Sequence, residues 1–127
     1  MPTDKDYERL LAFRVRLRRF DTWSRAAAEE HGLTHAQHQL LLAIRGHGRD
    51  PGPTIGDVAD DLLVKRHTAS GLVDRVHGLG LVERVRDDQD HRRVHLRLTT
   101  SGEAVLQALT AVHLEELRRL APLLGEL

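Results

Sequence analysis

Residues 84–99 read RVRDDQDHRRVHLRLT, with five arginines and three aspartates in one short segment. Guanidinium groups keep their charge and carry a planar fork of donors, so they recognise phosphates, carboxylates and base edges rather than moving protons. Asp90, two residues before Arg92, is placed to hold that guanidinium or a neighbouring one in a bidentate pair. Nine histidines add a second chemistry. His35 and His38 share one helical face with His31 close by, and His113 shares another with Glu116, spacings that raise the question of a metal. The absence of cysteine excludes disulfides, thiolate catalysis and cysteine-based zinc sites. It leaves the histidines as packed or surface residues, with no metal and no cofactor expected. Without a phosphate-cradling glycine loop, a nucleophile motif or a spaced carboxylate pair, the chain is not expected to be an enzyme.

The elements that would carry these residues follow from periodicity. Apolar residues at Leu10, Phe13, Leu17, Phe20, Trp23 and Ala27 predict an amphipathic helix from Tyr7 to about Glu30. Thr34 with Gln37 reads as a capping box opening a second helix through Leu40, Leu41 and Ile44, which the stretch GHGRDPGP then breaks. Thr54 with Asp57 opens a short third helix. A fourth is expected from about Lys65 to His77, packing Ala69, Leu72, Val73 and Val76 and ending at Gly78 and Gly80. Two short helices joined by about three residues resemble a helix-turn-helix. A strand over Leu81–Arg86 and a second with Val94, Leu96 and Leu98 inward and His95, Arg97 and Thr99 in water make a hairpin. Thr100 with Glu103 predicts the cap of a last helix carrying Val105, Leu109, Val112, Leu117, Leu120 and Leu124, kinked or ended by Pro122.

The fold expected is mainly α with a small β-hairpin wing. It forms a single domain over 1–127, with a winged helix-turn-helix core at about 34–99 flanked by helices at about 5–31 and 100–124. Lys plus Arg equals Asp plus Glu at 19 each, which leaves room for local basic surfaces without requiring them. No run is long and apolar enough to span a membrane, so a cytoplasmic chain without a membrane partner is expected.

The stretch VDRVHGLGLVERVRDDQDHRRVHLRLTTSG strongly resembles the wing region of the MarR family of bacterial transcription regulators. The positions that carry the likeness are Asp74–Arg75, Gly80–Leu81–Val82, Asp90 with Arg92, Leu98–Thr99 and Gly102. The resemblance implies a homodimer that binds pseudo-palindromic operator DNA, most simply as a repressor loosened by a small ligand. Members usually continue with a further C-terminal helix, so at Leu127 the chain reads as a short or truncated member, or as one whose dimer relies on its first and last helices.

Residues in the first turns of the fourth helix, Lys65, Arg66, His67, Thr68 and Ser70, are expected to meet bases and phosphates in a major groove. Arg75 is expected to reach a phosphate or brace the hairpin. Arg92 is expected in the adjacent minor groove with Asp90 bracing it, and Arg84, Arg86, Arg93 and Arg97 to face phosphates. A pocket for a small aromatic or other organic effector would draw on Phe13, Arg16, Phe20, Trp23 and His38. Two other readings stand beside this one. A winged-helix module that binds protein rather than DNA suits the neutral charge, and a metal-responsive regulator suits the histidines.

Overall fold

The computed structural model describes residues 1–124, with side chains through Pro122, so the apolar position expected at Leu124 lies outside the described side chains. Three helices begin where a threonine and a side chain three residues on satisfy each other's backbone donors. Helix α1 (Asp4–Glu30) starts about a turn earlier than expected. There the Thr3 N–H donates to Asp6 Oδ2 over 2.8 Å, and the Asp6 N–H donates to Thr3 Oγ1 over 3.3 Å. Helices α2 (His35–Gly46) and α3 (Ile55–Leu62) open on the expected Thr34–Gln37 and Thr54–Asp57 boxes. Helix α4 (Arg66–Gly78) follows a turn in which Leu63 is left-handed, with φ of 57°. The N–H groups of Leu63 and Val64 return to the carbonyls of Asp60 and Ala59, closing the end of α3.

Strands β1 (Val82–Arg86) and β2 (Val94–Leu98) pair antiparallel, from Val82 opposite Leu98 to Arg86 opposite Val94. Helix α5 (Thr100–Leu124) completes the chain. Its cap differs from the expectation. Thr99, not Thr100, accepts the Gly102 N–H at 3.1 Å, and its hydroxyl donates to the Gly80 carbonyl at 2.6 Å. Glu103 turns away to pair with Arg45 at 3.0 Å. Pro122 does not end the helix, which continues to Leu124. It lies on an exposed face, where water can replace the missing backbone bond.

The core is built by α2 to α5 together with the hairpin. Leu40, Leu41, Val58, Val73, Leu96 and Leu109 are fully buried, and only the last turns of α1 join them, through Ala27 and Ala28. The stripe expected along α1 is therefore covered at one end only. Phe13, Phe20 and Trp23 are half-buried, whereas Tyr7, Leu10, Leu11 and Leu17 are exposed, as are Val112, Leu114 and Leu117 of α5. Among the described residues no helix is long and apolar enough to cross a membrane.

One joint fixes the hairpin to the helices. The segment before α3 runs along β2, and the Leu96 N–H donates to the Pro53 carbonyl over 2.8 Å. Gly52 makes the approach possible: its φ is 113°, and a Cβ there would run into the Leu96 carbonyl oxygen. Gly52→Ala should therefore lower unfolding free energy by roughly 2 kcal/mol or more, from left-handed strain plus the backbone clash. Urea unfolding of the purified variant against wild type measures this; a loss below about 0.5 kcal/mol would show that the joint yields without cost.

Candidate nucleic-acid interface

Helix α4 buries Ala69, Val73 and Val76 and presents Lys65, Arg66, His67 and Thr68 to solvent, with Ser70 half-buried. Lys65 is the N-cap residue but makes no side-chain cap, so its ammonium is not engaged by the helix it precedes. The Arg66 guanidinium lies over Gly56, where a Cβ would collide with it. It leans back on α3 at the start of the exposed face. Arg75 is exposed, and among the described residues it forms no ion pair. Its neighbour Asp74 braces the wing instead, through an ion pair with Arg84 of β1. The expectation of free phosphate-facing charge at Arg84 is thus revised to a guanidinium already engaged by α4. Arg97 is likewise paired, with Glu83 directly opposite on β1.

The wing tip is ordered by its aspartates. Asp87 Oδ1 accepts the N–H groups of Gln89 at 2.8 Å and Asp90 at 3.2 Å, and the Asp87 N–H donates to the Arg93 carbonyl at 3.0 Å. Those N–H bonds, led by Gln89, hold the Asp87 carboxyl below the usual carboxylate range, with help from the His95 side chain. Asp90 Oδ1 accepts from both the backbone N–H and Nε of Arg92, at 3.1 and 3.3 Å. The brace expected at Asp90 is present, but it is a single Nε contact plus a backbone bond rather than a bidentate fork. It leaves the Arg92 side chain 92% exposed. Arg86 donates to the His91 carbonyl across the tip at 2.9 Å, and Arg93 is exposed.

His95 departs from the expected wet face. It is 5% exposed, because the segment before α3 covers it. Strand alternation carries no trace of that cover, and the signal that could have found it is the Gly-Pro pair at 52–53.

Of the residues expected to line an effector pocket, the structure gathers Phe20, Trp23 and His38 around a fourth ring, His113 of α5. The His113 ring centroid is 4.7 Å from His38, 4.8 Å from Trp23 and 6.0 Å from Phe20. Nδ1 of His113 donates to the Leu109 carbonyl at 2.7 Å, so Nε2 is left to accept from the Ser24 hydroxyl at 2.7 Å. Phe13 and Arg16 lie nearer the start of α1, half-buried. Among the described residues no three His, Asp or Glu side chains are gathered as metal ligands. An open cleft of about 580 Å³ lies elsewhere, between the α2–α3 connection and the hairpin face that bears Val85 and Arg97.

A short helix pair whose second member keeps a polar face outward, followed by a hairpin tied to both helices, defines a winged helix-turn-helix. Residues 31–93 match the sequence profile of the MarR family of transcription regulators, so that the chain is similar to that family over its helix-turn-helix and most of its wing. It is 35% identical over 83 residues to the transcriptional activatory protein BadR of Rhodopseudomonas palustris, a match covering 65% of this chain and 47% of BadR. It is also 35% identical over 65 residues to the HTH-type regulator YsmB of Bacillus subtilis, covering 51% of this chain and 44% of YsmB. The chain thus spans less than half the length of these relatives. Among solved structures, MepR of Staphylococcus aureus, a regulator of the multidrug efflux pump MepA, superposes with a TM-score of 0.77 at 28% identity, covering 87% of this chain and 79% of MepR. A complex of MepR with DNA gives 0.72 at 28% identity, covering 91% of this chain and 81% of MepR.

The ring cluster has a measurable consequence. Burial, helped by the nearby His113, His35 and His31, pushes the His38 imidazole down from 6.5 to about 4. The unfolded chain then binds a proton between those values that the folded chain refuses, so His38 costs stability as pH falls from about 6.5 to 4. The full shift sets an upper bound of roughly 3 kcal/mol. Urea unfolding at pH 7 and pH 4.5 should show a steeper loss for wild type than for His38→Gln. Parallel losses would place His38 in water.

Proposed function

We infer that the protein is a sequence-specific DNA-binding transcription regulator that acts as a homodimer on a pseudo-palindromic operator. The carrying observation is the wing tip, where Arg92 is held by Asp90 yet leaves its guanidinium exposed. The outward polar face of α4 stands on the same rigid unit, linked through Asp74 and Arg84. In this reading Lys65, Arg66, His67, Thr68 and Ser70 enter a major groove, Arg92 reaches the neighbouring minor groove, and Arg75, Arg86 and Arg93 meet phosphates. The DNA-bound MepR structure supports this use of the fold.

Homodimer formation is supported by the exposed apolar residues of α1 and α5, which a second copy would cover. Response to a small aromatic or other organic effector is supported by the ring cluster where α1, α2 and α5 meet. Repression, as against activation, extends the family resemblance. The zero net charge favours a second reading, a winged-helix module that binds protein.

One titration separates the two. Fluorescence anisotropy with a duplex from upstream of the protein's own gene should show binding whose logarithm falls by about 0.9 per phosphate contact per decade of salt. Arg92→Ala should weaken binding about tenfold with wild-type folding, and lower the salt slope by about one contact. Equal affinity of Arg92→Ala and wild type would remove the wing from the interface. No binding to this or a random duplex at low salt, by a folded protein, would leave the protein-binding module.

A further inference from the structure

We propose that His95, as an imidazolium bridging two oxygen acceptors, positions the wing tip relative to the helix-turn-helix. This rests on the reading of the wing as the DNA-contacting hairpin and adds the residue that sets where its arginine stands. His95 is buried on β2 and faces an acceptor on each side. Nδ1 lies 2.8 Å from the Gly52 carbonyl oxygen, and Nε2 lies 3.2 Å from Asp87 Oδ2. A neutral ring has one donor and one acceptor nitrogen, so it could satisfy only one of these oxygens and would turn a lone pair on the other. Both bonds form only when each nitrogen carries hydrogen.

The two acceptors belong to different parts of the fold. Gly52 precedes α3, and next to it Pro53 holds β2 by the backbone bond from Leu96. Asp87 opens the wing loop, and its other oxygen organises the backbone of Gln89 and Asp90. Asp90 in turn holds Arg92. An unbroken series of hydrogen bonds therefore runs from the entry of α3, through the imidazole and two carboxylates, to the exposed guanidinium. Strand pairing ends at Arg86 and Val94, so beyond that point this series, with the Asp87–Arg93 backbone bond and the Arg86 contact to His91, sets the place of the tip. The charged group that touches the ring is Asp87; Asp57 and Arg93 interact with each other.

The test has two independent readouts. Proton–nitrogen correlation spectra of the wild-type histidine rings, recorded at the pH of the binding assay, should show hydrogen on both nitrogens of His95. A single protonated nitrogen overturns the proposal without reference to DNA. In the anisotropy assay with the upstream duplex, His95→Leu and Asp87→Ala should each weaken binding roughly tenfold while melting cooperatively. Adding Arg92→Ala to either should cost less than about twofold more, because a misplaced Arg92 contributes little. Additive losses, or wild-type affinity in Asp87→Ala, overturn the positioning role even if His95→Leu fails to fold. Failure of the wild type to bind any duplex removes the DNA reading and this proposal with it. Normal wild-type binding with an unaffected Asp87→Ala removes this proposal alone.

Discussion

The contact between the segment before α3 and strand β2 is the constraint on which the head depends. A two-stranded hairpin is marginal by itself in water, and among the described residues β1 and β2 pair with no third strand. The Leu96–Pro53 backbone bond supplies one, in effect, by capping the outer edge of β2 with an extended piece of chain. Gly52 permits the approach and Leu96 is fully buried behind it. With that edge closed, β1 is held between its partner strand and α4, where Asp74 meets Arg84. Helix α5 is then aimed by Thr99 and by Gly102, whose missing Cβ admits the Leu81 carbonyl.

The elements that could be read from sequence were those whose causes are local. The boxes at Thr34–Gln37 and Thr54–Asp57 join residues three apart, and the structure makes both. Asp90 beside Arg92 is equally local, and only its denticity differs. Local pattern and structure part where a partner comes from far along the chain. Thr99 caps α5 because its hydroxyl also reaches Gly80, 19 residues away. His95 is taken out of water by Gly52, 43 residues away, so strict alternation put it on the wrong side.

His113 shows the same limit at the ring cluster. Its spacing on α5 puts it on one face with Glu116, but Glu116 turns to Arg119. His113 instead bonds Ser24, 89 residues distant, and packs against Trp23 and His38. Counting charges misled in a related way. Of the five arginines between 84 and 99, Arg84 and Arg97 are neutralised within the fold. Within the helix-turn-helix and hairpin, exposed positive charge then stands at Lys65 and Arg66 at the start of α4, at Arg75, and at Arg92 and Arg93 of the tip, which a net charge of zero conceals.

The bonded wing loop also bears on the kinetics of encounter. A hairpin tip that must be ordered on contact loses conformational freedom at that moment, about 1–2 kcal/mol for each backbone residue fixed. Here Asp87 and Asp90 have already removed much of that freedom during folding. Such a tip behaves as a rigid tooth: a surface of matching shape engages it at little entropic cost, and a mismatched one gains nothing from its bending.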